Sequence, residues 1–356
     1  MFLHLHPTRR EALTASKTIL TRWSLATNPA TILTHVSVAP GALFHVMYDA
    51  GGRMLTYGGI TRTPDGEVFA LQQPGMEEYG SQGPGVIEWR SFDDLLPERT
   101  VMVPQTACSI TSLDSSPDGR WLVIGNDDHI SLLDWHTGEV ISRHFAGGYA
   151  TSGLAFDPTS TFVAGLSYAD GGGGLSLWRL DPVERFVPRP EREEWPSRQH
   201  VPQDYLSGTM ALTLVHEDLD RTGIAWRDHR DLADTECITA FSPDSRVVIF
   251  ALNSWYSQCG VELVAYEVVS GKRLWRACSE EESTGRWIFT PDGRALLLPV
   301  QGSELLVYDG ESGALSQRLR SGLDEPVQAL AFDHDGRTLW LATEERLVQY
   351  PGMTDR

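Results

Sequence analysis

Short apolar runs alternate with turn-forming residues along the whole chain. The runs Val247 to Leu252 and Ala295 to Val300 are typical, and their length of about six residues is that of a buried β-strand. Such runs are far shorter than the roughly 20 apolar residues that a helix needs to cross a bilayer. The pattern therefore predicts an all-β protein without a membrane-spanning helix.

A turn motif of the form Phe-x-Pro-Asp-Gly-Arg follows many of these runs. Its clearest copies begin at Phe241, Phe289 and Phe332, and weaker copies begin at Leu5, Tyr48, Ser115 and Phe156. In such a turn, Pro fixes φ, Asp bonds to the local backbone, and Gly accepts a positive φ. The motif predicts a tight hairpin between a first and a second strand in each copy.

A second column of large side chains follows each turn and marks a third strand. It consists of Trp23, Trp89, Leu133, Trp178, Tyr266, Tyr308 and Tyr350. Because these residues recur once per unit, we expect them to pack in the core. Several copies then turn through a small residue and Gly, as at Ser270-Gly271 and Ser312-Gly313, before a fourth strand. Four strands per unit is the make-up of a β-propeller blade.

The spacing of the units predicts their number. The first residues of successive turn motifs, which we call the first column, lie 43, 67, 41, 85, 48 and 43 residues apart. A propeller blade repeats about every 40 to 45 residues. The spacing of 67 residues indicates a long loop at 63–85 in the second blade. The spacing of 85 residues indicates an insertion at 183–237 between the fourth and fifth blades, with an extra hairpin formed by Ala211 to His216 and Gly223 to Arg227. Residues 1–356 are thus predicted to form one seven-bladed β-propeller of four-stranded antiparallel blades. The alternative has eight blades, with His200-Val201-Pro202 and Trp226 in the extra one.

The paired columns resemble the WD-repeat (WD40-like) β-propeller family, in the degenerate form found in many bacterial proteins. The resemblance covers essentially the whole chain. The Trp-Asp dipeptide of the family is absent, since the chain has pairs such as Trp23-Ser24 and Leu133-Asp134 in its place, and the opening Gly-His is absent too. The family's internal hydrogen-bond network is therefore not carried over. The resemblance implies a non-enzymatic scaffold that binds a partner protein or peptide.

Charge narrows the class of partner. The formal net charge of −19 argues against nucleic-acid binding, which depends on Lys and Arg, and favours a basic protein or peptide. The loops that join strand two to strand three, and blade to blade, are expected on one face and are rich in acidic and aromatic residues. The predicted partner-binding residues are Asp127, Asp128, Tyr149, Asp170, Glu236, Trp255, Tyr256, Glu280, Glu281, Glu282, Asp324, Glu325, Glu344 and Glu345.

Other chemistry is sparse, and no catalytic, cofactor-binding or metal-binding residue is predicted. Asp127-Asp128-His129 lie consecutively in a short loop and indicate a turn rather than a metal site. The glycines at 171–174 are not followed by a helix, so they do not predict a phosphate site. The alternative function is a propeller enzyme of the lactonase or hydrolase type with a site at the central channel. His4, His45 and Asp114 are the polar exceptions on otherwise small or apolar first strands.

Three further expectations concern the cysteines, the compartment and the last blade. Cys108, Cys237, Cys259 and Cys278 are expected to be free thiols, with a Cys259–Cys278 disulfide across the fifth blade's last hairpin as the alternative. The first residues show no secretory signal, which favours the cytoplasm. Only six residues follow Tyr350. We therefore expect a three-stranded last blade whose edge is exposed or filled by another chain.

Overall fold

The computed structural model describes residues 1–6, 8–15, 19–37, 45–48, 54–58, 61–62, 68–69, 85–103, 112–125, 129–145, 150–169, 172–183, 205–206, 208, 210–216, 237–252 and 260–350. These residues form antiparallel β-strands and contain no α-helix; a 3₁₀ turn lies at Gln301–Ser303. The prediction of an all-β protein with four-stranded antiparallel sheets is confirmed.

The first four sheets follow one another along the chain. Sheet 1 has the order β1-β2-β3-β4, with Phe2–Leu5, Glu11–Ala15, Ile19–Ser24 and Thr31–Ser37. Sheet 2 has the order β5-β6-β9-β10, with His45–Tyr48, Met54–Gly58, Gly85–Arg90 and Pro97–Val103; a separate pair, β7 and β8, joins Thr61–Arg62 to Val68–Phe69. Sheet 3 has the order β11-β12-β13-β14-β18, with Ser112–Ser115, Trp121–Gly125, His129–Asp134, Val140–Phe145 and Tyr205–Leu206. Sheet 4 has the order β15-β16-β17-β19, with Ala150–Phe156, Phe162–Ala169, Gly172–Pro182 and Met210–His216.

The last three sheets are built in the same way. Sheet 5 has the order β20-β21-β22-β23, with Cys237–Phe241, Val247–Leu252, Val261–Glu267 and Arg273–Ser279. Sheet 6 has the order β24-β25-β26-β27, with Ile288–Phe289, Ala295–Val300, Glu304–Asp309 and Leu315–Arg320. Sheet 7 has the order β28-β29-β30, with Ala329–Phe332, Leu339–Ala342 and Leu347–Tyr350.

The predicted hairpin turns that the structure describes lie where the motif placed them, between the first and second strands; the turn at 49–53 lies outside the described residues. In sheet 5, Ser242 Oγ donates to Asp244 Oδ1 at 2.6 Å, and the Arg246 N–H donates to the same oxygen at 3.1 Å. The turns of sheets 3 and 6 repeat this arrangement around Asp118 and Asp292. The Asp carboxylate thus bonds the local backbone, as the motif predicts.

The second column is buried in every sheet, which confirms its predicted place in the core. The exposed fraction ranges from 0% for Leu133 and Tyr266 to 9% for Tyr350. Each apolar cluster of the core joins one sheet to the next. Sheets 5 and 6 share a cluster that includes Trp275 and Tyr308, and sheets 6 and 7 share another that includes Tyr350.

The first and last sheets also contact each other. Leu3 and Trp23 of sheet 1 lie in one apolar cluster with Trp340 and Leu347 of sheet 7. In addition, His334 Nε2 of the sheet 7 hairpin turn donates to the His6 carbonyl oxygen, at 2.6 Å. Residues more than 320 positions apart in the sequence are therefore packed together.

The structure revises the interpretation of 183–237. Met210–His216 pairs antiparallel with β17, so among the described residues it is the outer strand of sheet 4. Tyr205–Leu206 adds a short fifth strand to the edge of sheet 3. The sequence pattern missed this because a strand that follows a long excursion carries no turn motif of its own. Gly223 to Arg227, His200 to Pro202 and Trp226 lie outside the described residues.

The loop predicted at 63–85 lies largely outside the described residues. Within it, Val68–Phe69 pairs with Thr61–Arg62. The sulfur of Cys278 is in a disulfide, so the expectation of a free thiol is wrong for this residue. Cys259, its predicted partner in the alternative, lies outside the described residues, as does Cys108.

Candidate interaction surface and a group of ionisable residues

An acidic rim lies at one edge of sheets 5 to 7. We define the acidic rim as Glu280, Glu281, Glu282, Asp324, Glu325, Glu344 and Glu345. It occupies the segments at 280–287, 321–328 and 343–346, which connect sheet 5 to 6, sheet 6 to 7, and β29 to β30. These residues belong to the predicted partner-binding set, and the structure brings them to neighbouring loops.

Hydrogen bonds hold these loops side by side. Thr284 Oγ1 donates to the Val327 carbonyl oxygen at 2.6 Å, and Ser303 Oγ donates to the Glu325 carbonyl oxygen at 2.7 Å. Gln301 Nε2 donates to Glu282 Oε2 at 3.2 Å. The rim is therefore one continuous surface built on the ends of several strands.

Two arginines neutralise part of the rim. Arg318 forms an ion pair with Glu281, and Arg346 Nη2 lies 2.8 Å from Glu325 Oε1. Hydrogen bonds from Thr343 and Arg346 hold the pKa of the Glu325 carboxyl below its ordinary value. The sequence pattern missed Arg318 as a partner because Glu281 lies 37 positions earlier, in the segment that connects sheet 5 to sheet 6.

The remaining rim carboxylates are exposed. They are Glu280, Glu282, Asp324, Glu344 and Glu345, and none forms an ion pair in the part of the chain that the structure describes. The positive charge of Arg346 also acts on Asp324 and Glu345, at longer range. Like charges held together on a rigid edge produce a negative potential that attracts cationic groups. The rest of the predicted set, Asp127, Asp128, Tyr149, Asp170, Glu236, Trp255 and Tyr256, lies outside the described residues.

A second group of ionisable side chains lies on the innermost strands and just before them. His4 is on β1, Asp114 is on β11, and Arg286 lies two residues before β24. His4 and Asp114 each precede a first-column residue by one position, where sheets 4, 5 and 7 carry alanine. Sequence reasoning singled out His4 and Asp114 but missed Arg286. The side chain of His45 is outside the described part of the structure.

Asp114 joins the innermost strands of sheets 3 and 4. Its Oδ2 accepts a hydrogen bond from the Phe156 N–H at 2.6 Å, and Ser112 Oγ, on the same strand, accepts one from the Leu154 N–H at 2.8 Å. Both side chains thereby satisfy backbone donors that the neighbouring sheet leaves unpaired. Asp114 therefore has a structural role whatever else it does.

Burial shifts the pKa values of both groups away from the charged forms. It lowers the pKa of His4 to about 4, with a smaller contribution from the positive charge of Arg286. It raises the pKa of the Asp114 carboxyl to about 6, against the lowering effects of the Phe156 and Ser115 N–H groups and of Arg286. At neutral pH the group therefore combines a neutral imidazole, a carboxyl close to its titration range and a guanidinium.

Comparison with other proteins adds no assignment to either surface. No protein-family model matches the chain, and no curated protein matches it. Among the described residues, no three His, Cys, Asp or Glu side chains form a group able to hold a metal ion. No helix in that part of the chain is long and apolar enough to cross a membrane.

Proposed function

We propose that the seven sheets are the blades of a β-propeller, and that the protein is a non-enzymatic scaffold that binds a basic protein or peptide at the acidic rim. The order of the sheets supports the architecture. Each sheet packs on the next in chain order, and sheet 1 packs on sheet 7 through Leu3, Trp23, Trp340 and Leu347. A four-stranded antiparallel sheet repeated in this way is the building unit of a propeller.

The observation that carries the proposed partner class is the set of five exposed rim carboxylates without an ion pair. They are presented by loops on a rigid β-scaffold, which is where binding residues are commonly found. A basic partner gains from this potential mainly in its association rate and its specificity. The scaffold function is also what the resemblance to the WD-repeat family implies.

The test compares two triple variants with the same change in net charge. One neutralises the rim through Glu280→Gln, Glu282→Gln and Glu344→Gln. The control variant carries Glu98→Gln, Glu139→Gln and Glu311→Gln, which change exposed glutamates near the opposite ends of the strands. The probe is a fluorescent arginine-rich peptide, titrated by anisotropy at low and at physiological salt.

We expect the rim variant to weaken binding of the peptide by ~10-fold at low salt, and the control variant by much less. Local potential, rather than total charge, then determines binding. Equal weakening by the two variants would show that the peptide responds only to net charge, and would contradict a site at the rim.

A second candidate function, a hydrolase at the central channel, is favoured by one observation. Asp114 has a pKa of about 6 and lies in the electrostatic field of Arg286, and a carboxyl with such a pKa is able to exchange protons near neutrality. If Asp114 acts as a base, hydrolysis of a simple lactone or ester should rise through pH 6 and be lost in Asp114→Asn. Hydrolysis that the substitution leaves unchanged would exclude this role.

A further inference from the structure

The outer edge of sheet 7 is formed by β30. β30 pairs with β29 on one side through Trp340 opposite Gln349 and Leu341 opposite Val348. The described residues include no strand on its other side. An edge of this kind leaves N–H and C=O groups that another chain is able to pair with.

The chain covers this edge with the turn that joins β3 to β4 of sheet 1. The Ala30 N–H donates to the Leu347 carbonyl oxygen at 2.9 Å. The Gln349 N–H donates to Asn28 Oδ1 at 3.0 Å, and Asn28 Nδ2 lies 3.5 Å from the Gln349 carbonyl oxygen. Three backbone groups of β30 that face away from β29 therefore have partners in sheet 1.

The side chain of Asn28 is suited to this contact. Its amide has one carbonyl acceptor and an NH₂ donor, the same two functions that a peptide group offers. Oδ1 and Nδ2 engage the N–H and C=O of one residue, Gln349, which is how an opposing residue bonds in an antiparallel ladder. Asn28 thus bonds to β30 as one residue of a neighbouring strand would.

Apolar packing fixes the position of the turn. Leu25 and Ala30, at either end of the turn, are buried in the same cluster as Trp340 and Leu347 of sheet 7. The Leu25 N–H also donates to the Arg10 carbonyl oxygen at 2.9 Å. Buried apolar contacts therefore hold the hydrogen-bonding groups of Asn28 and Ala30 against β30.

We propose that residues 25–30 are a latch that joins sheet 7 to sheet 1 and prevents β30 from pairing with a second copy of the chain. The expected exposed or partner-filled edge is thereby corrected, because the chain caps this edge itself. The three-stranded sheet is confirmed within the described residues, and the reason that three strands suffice is the latch. This proposal does not depend on what binds at the acidic rim.

The first measurement uses the wild-type chain and follows hydrogen exchange of individual amides. The Gln349 N–H points away from β29, and among the described residues its acceptor is Asn28 Oδ1. We expect it to exchange far more slowly than the exposed loop amide of Glu344. Exchange of the two amides at similar rates would overturn the proposal, and this result does not depend on any variant folding.

The second measurement compares Asn28→Ala with Thr27→Ala. Thr27 lies in the same turn, but its Oγ1 donates to the Pro29 carbonyl oxygen and makes no hydrogen bond to β30. We expect Asn28→Ala to speed exchange of the Gln349 amide by ~10-fold and to form dimers or larger species on concentration. Thr27→Ala should do neither. Unchanged exchange in Asn28→Ala would refute the latch, and a variant that stays monomeric at high concentration would refute its blocking role.

Discussion

Sheets 5 and 6 and sheets 7 and 1 are joined by different means. Between sheets 5 and 6, Trp275 on the outer strand β23 covers the turn that joins β26 to β27. Its Nε1 donates to the Gly310 carbonyl oxygen at 3.1 Å. A Cβ placed on Gly313 would lie 2.4 Å from the Trp275 ring, so this ring rests directly on the glycine.

Sheet 7 has no outer strand in the described residues, so it has no counterpart of Trp275. The corresponding turn of sheet 1 instead reaches β30 with polar groups, through Asn28 and Ala30. The comparison teaches that the outer strand serves two purposes: it completes a sheet and it carries the side chain that covers the next turn. Where it is absent, the next sheet's turn takes over its hydrogen bonds.

The largest expected effect is that of removing the ring between sheets 5 and 6. Trp275 is only 8% exposed, and Trp275→Ala should cost about 3 kcal/mol or more in the free energy of unfolding, from lost packing and a cavity. Urea denaturation followed by circular dichroism measures this. Leu274→Ala, next to it and 44% exposed, is the control and should cost much less. Similar losses in the two variants would show that Trp275 does not hold the sheets together.

A smaller loss of stability is expected from substituting Gly313, the glycine that the Trp275 ring contacts. Gly313 and Gly322 both have a positive φ, of 68° and 76°, but a Cβ on Gly322 would meet no atom within 4 Å. Gly322→Ala should therefore cost about 1 kcal/mol of backbone strain alone. Gly313→Ala should cost more, by about 1 to 2 kcal/mol, because its methyl group would displace the Trp275 ring. Equal thermal midpoints for the two variants would mean that the ring moves aside freely.

The smallest effect in this comparison is that of Asn28→Ala. It removes polar contacts at an exposed edge, and a hydrogen bond contributes only about 1 kcal/mol on average. We expect a loss of about 1 kcal/mol in the free energy of unfolding, measured by urea denaturation beside Trp275→Ala. A loss as large as that of Trp275→Ala would show that the two contacts are energetically alike despite their different chemistry.

Much of the fold was predictable from local pattern. The Pro-Asp-Gly motif places the turns, because its residues satisfy a tight hairpin through their own backbone preferences, as at Asp244 and Asp292. The aromatic column places the core, because a large apolar side chain once per unit is buried wherever the unit packs. The acidic loops at 280–282, 324–325 and 344–345 were predictable as one surface for a different reason: loops that join strand two to strand three, and one unit to the next, lie at the same end of the strands.

Other features depend on contacts between residues that are far apart in the sequence. The outer strand of sheet 4, Met210–His216, is separated from β17 by a long excursion, and no local signal announces its pairing. The pairing of Arg318 with Glu281 spans 37 positions. Arg286 joins His4 and Asp114 only in the folded chain, where its positive charge acts on both groups.

The sequence by itself determined that the protein is all-β, where its hairpins turn and which aromatic residues are buried. These are consequences of backbone preference and of the hydrophobic effect acting on short segments. Only the tertiary structure decided how the edge of the last described sheet is treated. Asn28 meets Gln349 across 321 positions, and a contact of that kind exists only when packing has brought sheet 1 against sheet 7.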